Sequence, residues 1–196
     1  MYRFIKQRFK ANVNIIRYGF SQVCEDKKSA PNNYYLTIAR AEKENNLDMV
    51  ANAFKKLPNF KWKVVCNYND TVFGKAFYKQ YKQYKNIEII SANYNMDYIH
   101  SIRNNAKAYI HGHSVGGSNP ALIEILPYNI PLFCYNNIFN RETTFNKAYY
   151  FNNVDELCKL LPDKDIKHNN ELRELALYEY NWESIALDYK HLIESI

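Results

Sequence analysis

The chain has 196 residues, of which 47% are hydrophobic and 23% are charged, and these values indicate a folded domain with a substantial core. Its formal net charge of +6 suits phosphate-rich ligands, an anionic membrane surface or nucleic acid. The lysines are scattered and accompany no known nucleic-acid motif, so the sequence argues against a nucleic-acid partner. No apolar run approaches the roughly 18 residues that span a bilayer, and the N-terminus lacks the apolar core of a signal peptide.

The four cysteines lie far apart and include no Cys-x-x-Cys pair. Cys66 and Cys134 fall within apolar runs that predict buried strands, so we expect both to be small reduced core residues. These features predict a cytoplasmic protein, and the basic N-terminus suits peripheral association with the inner face of the membrane.

Residues 1–33 predict an N-terminal basic segment and linker. A basic amphipathic stretch at 1–11 precedes an apolar run at 13–19 that predicts a strand, and a polar linker follows at 24–33. A domain is expected over residues 34–196, because short apolar runs alternate there with stretches of helical periodicity. The predicted strands are 34–40, 62–67, 86–90, 106–110, 131–135 and 148–151. The predicted helices are 47–57, 74–85, 95–105, 120–126, 153–161, 170–180 and 182–195.

Strands separated by helices predict βαβ units, and hence an α/β fold with a mainly parallel sheet covered by helices on both faces. In such sheets ligands bind beyond the carboxyl ends of the strands, at a topological switch point. Arg40 and a glycine-containing turn both follow predicted strands at that edge. Residues 136–145 predict a loop, and Trp182 is expected in the core.

The segment from His111 to Glu124 has the sequence His-Gly-His-Ser-Val-Gly-Gly-Ser-Asn-Pro-Ala-Leu-Ile-Glu and follows a predicted strand directly. Gly116 and Gly117 permit positive φ, Asn119 is a favourable N-cap, and the proline after it suits the first helical position. Unpaired N–H groups at such a turn predict an anion site, from which Glu124 can reach a pair of sugar hydroxyls. A tight turn with no ligand is the alternative interpretation.

The resemblance to a known family rests on this segment together with shorter matches elsewhere. From Tyr34 to about Ile193 the chain resembles the C-terminal, donor-binding half of GT-B fold glycosyltransferases of family 4. It is most similar to bacterial rhamnosyltransferase-like members that build surface polysaccharides. The matching segments are Ile38–Arg40, Glu44–Asn46, His111–Pro120 with Glu124, Phe139–Glu142 and Tyr180–Glu183.

This resemblance implies a Rossmann-like domain that binds a nucleoside-diphosphate sugar and needs neither cofactor nor metal. It implies that Arg40 contacts the diphosphate and that Glu124 binds the ribose hydroxyls, and these two are the candidate catalytic residues. Retention of the anomeric configuration is also implied. The remaining candidate donor-binding residues are Gly116, Gly117, Ser118, Asn119, His113 and Arg141. We interpret His111 and His113 as hydrogen-bonded packing residues rather than zinc ligands.

Two departures and one absence qualify the resemblance. Many members carry a further glutamate that touches the transferred sugar, and its position here is Gly116. A common lysine is replaced by Asn45, which leaves Lys43 or Arg141 to supply that charge. The rhamnosyltransferase-like subgroup shares both departures. GT-B enzymes also have an N-terminal acceptor-binding half, so we expect this chain to be a fragment, a split subunit or a remnant that is inactive without an acceptor-binding domain or subunit.

Two other functions compete with glycosyl transfer. A non-catalytic interaction module would pair with another subunit or a membrane surface through the basic N-terminus. A dinucleotide-dependent oxidoreductase is disfavoured, because the first strand is not followed by Gly-x-Gly-x-x-Gly.

Overall fold

A computed structural model describes residues 8–9, 13–20 and 33–195. Its centre is a six-stranded sheet in the order β3-β2-β1-β4-β5-β6, in which every neighbouring pair is parallel. The predicted parallel α/β fold is therefore confirmed. The strands are β1 Tyr34–Ile38, β2 Lys61–Cys66, β3 Ile87–Ser91, β4 Ala108–His111, β5 Leu132–Tyr135 and β6 Tyr149–Phe151.

Helices connect the strands and cover both faces of the sheet. A 3₁₀ turn at Lys43–Asn45 precedes the first of them. The helices are α1 Leu47–Lys56, α2 Val72–Tyr81, α3 Met96–Asn104, α4 Pro120–Ile123, α5 Ile138–Thr143, α6 Val154–Leu160, α7 Asn170–Glu179 and α8 Trp182–Glu194. An asparagine side chain accepts a backbone N–H at the start of most of them, which satisfies donors that the helix cannot pair. These caps explain why so many of the predicted helix starts are correct.

Two apolar cores lie on opposite faces of the sheet because successive strand residues point to opposite sides. On β4, Tyr109 packs into the core that α3, α4 and α7 cover. Its neighbour Ile110 packs into the core formed with α1, α2 and α6. Cys66 and Cys134 are free and buried in these cores, as predicted.

Three local predictions are wrong. The run at 13–19 forms no strand, and Phe20 makes a single bridge with Asn181. The β-branched residues of this run favour a strand, but tertiary packing overrides that preference, since Gly19 lies against α8. Trp182 is 44% exposed instead of buried in the core. The predicted loop at 136–145 contains α5, whose N-cap is Asn137.

Some predictions fall where little or nothing is described. Of the amphipathic segment 1–11, the described residues are Arg8 and Phe9, and both are exposed. The linker predicted at 24–33 lies outside the described residues except for Asn33. None of the helices in the described ranges has both the length and the apolar character needed to cross a membrane.

Candidate functional site

The candidate site lies where β1 and β4 meet, because the chain order of the strands reverses there. The two strands pair in register at Tyr35 with Ala108 and at Leu36 with Tyr109. Further along, side chains replace the backbone ladder. The Tyr109 hydroxyl accepts from the Ile38 N–H at 3.2 Å and donates to the Ile38 carbonyl at 2.9 Å. At this edge β1 and β4 are therefore joined through a side chain instead of a continuous backbone ladder.

The first half of the glycine-containing turn is fixed by contacts with the 3₁₀ turn. The Ser114 N–H and hydroxyl both donate to the Glu44 carbonyl, at 2.8 and 3.0 Å. The Asn46 side chain donates to the Gly112 carbonyl at 2.8 Å. A Cβ at Gly112 would overlap the Asn45 carbonyl oxygen, so this close approach requires glycine.

A second set of contacts comes from the start of α5. Both Asn137 and Asn140 donate from their side-chain nitrogens to the His113 carbonyl, at 2.9 and 2.8 Å. Neither was predicted as a site residue, although Asn140 belongs to the matching segment Phe139–Glu142. The signal that could have found them is the Asn-x-x-Asn spacing, which places two polar side chains at the beginning of one helix.

The tip of the turn, in contrast, is exposed. Residues 115–118 are all exposed, and Gly116 has a φ of +95°. A Cβ at Gly117 would meet no atom within 4 Å. In the described part of the chain, the backbone N–H groups of Gly116, Gly117 and Ser118 donate to no backbone or side-chain acceptor. The turn therefore presents free donors to solvent, as an anion site requires.

Helix α4 is shorter than predicted. Asn119 caps it through the Ala121 N–H, and a proline stands at the first helical position, as expected. The helix ends at Ile123 instead of residue 126. Beyond it, the Ile125 and Leu126 N–H groups each donate to the carbonyl three residues earlier, which is a 3₁₀ pattern. A four-residue helix has a small macrodipole, so the turn's own N–H groups must supply most of any attraction for an anion.

Glu124 lies at this edge and not in the apolar interior. Its side chain is 34% exposed, and its Oε2 accepts from the Arg103 Nη2 at 2.6 Å. Its Oε1 accepts no hydrogen bond from any described residue. Arg103 is 4% exposed and lies on the apolar face of α3 with Ile99 and Ile102. The sequence analysis missed Arg103, although a charged residue on an otherwise apolar helix face was the available signal.

His113 is hydrogen-bonded, as predicted. Its Nδ1 donates to the Asn45 Oδ1 at 2.9 Å, because the Asn45 nitrogen already donates to the Arg40 carbonyl. Burial lowers the pKa of His113, and Arg40 lowers it further, while the Val115 backbone and Glu44 act in the opposite direction. The other ring nitrogen, Nε2, lies 3.6 Å from where a Cβ of the residue at 116 would lie.

His111 is a packing residue, as predicted, but among the described residues its Nε2 lacks the predicted hydrogen bond. It is buried beneath the same edge, with its ring 6.0 Å from that of His113. Its Nε2 has no hydrogen-bond partner in the described residues. Burial, with a smaller contribution from His113, lowers the pKa of His111 to about 3, so the ring is neutral at physiological pH.

The two predicted arginines have different surroundings. The Arg40 side chain is 69% exposed, and its Nη2 lies 3.5 Å from the Glu42 Oε2. Arg141 donates from Nε to Asn136 at 2.6 Å and lies over the Tyr150 ring at 4.1 Å. Arg40 is thus free to turn towards a ligand. Arg141 contacts residues near α5 and β6 and, among the described residues, none of the glycine-containing turn.

The arrangement combines free N–H donors, an exposed cation and a carboxylate with one unused oxygen. The donors and the cation attract an oxyanion, while the carboxylate accepts hydrogen bonds from hydroxyl groups. These groups suit a ligand that carries both an oxyanion and hydroxyl groups.

Comparison with known proteins identifies the fold. The chain is similar to sucrose-phosphate synthase from Thermosynechococcus elongatus, with a TM-score of 0.76 and 13% identity over 99% of this chain and 56% of that one. It is similar to the pneumococcal O-GlcNAc transferase GtfA, solved with UDP and GlcNAc, with a TM-score of 0.75 and 12% identity over 99% and 43% of the two chains. The fold is that of a GT-B glycosyltransferase domain.

A third similar structure is a single domain. The C-terminal domain of LpcC, a glycosyl transferase group 1 family protein from Francisella tularensis, gives a TM-score of 0.61 and 16% identity over 85% of this chain and 97% of that one. This chain spans about half the length of sucrose-phosphate synthase and less than half that of GtfA. No protein-family model and no curated protein matches the sequence.

Proposed function

We propose that this chain is the donor-binding domain of a glycosyltransferase and binds a nucleoside-diphosphate sugar where β1 and β4 diverge. The observation that carries the proposal is that the segment after β4 contains both free N–H groups, at Gly116–Ser118, and a carboxylate with an unused oxygen, Glu124. Diphosphate oxygens accept from the N–H groups, and ribose hydroxyls donate to the carboxylate. GtfA, which has a similar fold, was solved with UDP.

The proposed chemistry is electrostatic. Breaking the bond between the anomeric carbon and a phosphate oxygen increases negative charge on the departing diphosphate. The turn N–H groups and Arg40 stabilise this charge, and each charge-assisted hydrogen bond contributes about 1.5–3 kcal/mol. These groups belong to the protein, so the proposal includes metal-independent transfer. The His113 Nε2 lies beside Gly116, where a hydroxyl of the transferred sugar can contact it.

The proposal extends to the finer predictions from the sequence. It places the chain with rhamnosyltransferase-like members of family 4 that retain the anomeric configuration and build surface polysaccharide. Transfer then requires an acceptor-binding domain or subunit, since the chain matches about half of the two longer enzymes. Donor binding, in contrast, is expected of this chain by itself.

Calorimetric titration with UDP, GDP, ADP and dTDP tests donor binding. We expect at least one nucleotide to bind with a Kd below about 1 mM, and the Gly117→Pro substitution to weaken it by removing one N–H donor. Gly117→Ala is the matched control, because it keeps the N–H and its Cβ meets open space. Absence of binding by all four nucleotides contradicts the proposal.

A non-catalytic interaction module remains the second candidate because of one further observation. Helix α8 exposes large apolar residues along most of its length. They are Trp182, Leu187, Tyr189 and Ile193. Under this alternative the chain binds another subunit but no nucleotide, so the same calorimetric titration separates the two candidates.

A further inference from the structure

Arg103 is a buried cation with one carboxylate partner. It is 4% exposed and occupies the last turn of α3, and its guanidinium lies over the Tyr128 ring at 5.8 Å. A buried charge is costly unless it is paired. Among the described residues, Glu124 is the carboxylate within ion-pair distance, with Oε2 at 2.6 Å from Nη2.

The pairing restricts Glu124 in a specific way. The buried guanidinium holds Oε2, so the carboxylate cannot rotate freely in solvent, and Oε1 is left without a described partner at the exposed edge. The Tyr109 hydroxyl, fixed by its two bonds to Ile38, lies close enough to both side chains for their charges to act on it. The carboxylate is therefore held where β1 and β4 diverge.

We infer that Arg103 is a positioning residue that orients Glu124 towards the ribose hydroxyls of the nucleotide. This inference rests on the proposed function, since it assigns a role within the same site. It goes beyond that function by placing a determinant of nucleoside recognition on α3, behind the carboxylate and out of reach of the ligand.

The test compares a ligand that has a ribose with one that lacks it. Arg103→Met keeps a buried side chain of similar size and removes the charge, while inorganic pyrophosphate probes the turn without involving Glu124. We expect the nucleoside diphosphate that binds the wild-type chain most tightly to lose about tenfold or more in affinity, and pyrophosphate to change less than twofold. Arg103→Lys should recover part of the loss, because an ammonium restores the charge but not the planar geometry.

A matched control addresses general destabilisation. Arg17→Met removes another arginine–glutamate pair, Arg17 with Glu179 at 3.1 Å, on elements away from the site, and should leave both affinities unchanged. Equal losses for both ligands in Arg103→Met, or no loss, overturn the inference while leaving the proposed function intact. If Arg103→Met does not fold, Arg103→Lys decides: a selective loss of nucleotide affinity supports the inference and no selectivity overturns it. A wild-type chain that binds no nucleotide ends both proposals.

Discussion

Two arginine–carboxylate pairs differ in the burial of their arginines. Arg103 pairs with Glu124 at 2.6 Å, and its side chain is 5% exposed. Arg40 lies 3.5 Å from Glu42, and its side chain is 69% exposed. A buried guanidinium is costly without an anion and so keeps its partner, whereas an exposed pair exchanges readily with solvent or ligand. The first pair therefore sets geometry, and the second leaves a cation available.

The greatest loss of stability is expected when Arg103 loses its carboxylate partner. Glu124→Gln leaves the buried Arg103 guanidinium without an anion, and because the Glu124 side chain is 34% exposed we expect the free energy of unfolding to fall by about 2–3 kcal/mol. Chemical denaturation measures this loss. Adding Arg103→Met should recover most of it, because the buried charge is then gone. A Glu124→Gln chain as stable as wild type would show that the pair does not hold the edge.

Adding a methyl group at the fixed half of the glycine-containing turn should lower stability by a smaller amount. Gly112→Ala places a Cβ against the Asn45 carbonyl and should cost about 1–3 kcal/mol of unfolding free energy. Gly117→Ala, at the open tip, should leave stability within about 0.5 kcal/mol of wild type. Thermal and denaturant unfolding of the two variants compare the halves directly. Similar losses from both would contradict the contrast between a fixed base and a free tip.

The buried His111 predicts how the stability of the fold depends on pH. His111 is neutral in the fold with its pKa lowered to about 3, so the unfolded chain takes up its proton first as the pH falls below about 6.5. Stability should therefore fall on acidification, by about 2 kcal/mol from this residue between pH 7.5 and pH 5. His111→Phe removes that component, and denaturation at both pH values measures it. An identical pH dependence in the variant and wild type would argue against a neutral buried His111.

The smallest effect on stability, with a distinct effect on binding, is expected from the exposed pair. Arg40→Met should leave the unfolding transition unchanged, because the ion pair with Glu42 is long and solvated. It should weaken pyrophosphate and nucleoside diphosphate alike, by about tenfold, through the loss of one charge-assisted contact. Calorimetry with both ligands checks this. A selective loss of nucleotide would mean that Arg40 acts on the nucleoside instead.

Sequence periodicity predicted the elements of the fold because strands and helices here follow regular apolar patterns. It failed where a long-range contact decides the structure. Residues 13–19 have the composition of a strand, but Gly19 packs against α8. Helix α5 begins at an asparagine cap within a run too polar to show helical periodicity.

At the site, residue types alone predicted some of the residues but not all of them. The glycines and Asn119 follow β4 directly, as predicted, and Glu124 follows at the end of α4. Arg103 was missed because its partner is 21 residues away in the sequence, and only folding brings the two charges together. The burial that distinguishes Arg103 from Arg40 is likewise a property of the folded chain.

The most direct measurement is amide NMR of the full chain during titration with a nucleoside diphosphate and, separately, with pyrophosphate. We expect both ligands to shift the N–H resonances of Gly116, Gly117 and Ser118. We expect the nucleotide alone also to shift those of Glu124 and its neighbours. Unshifted resonances at the turn, with saturable shifts elsewhere, would contradict the proposed donor site.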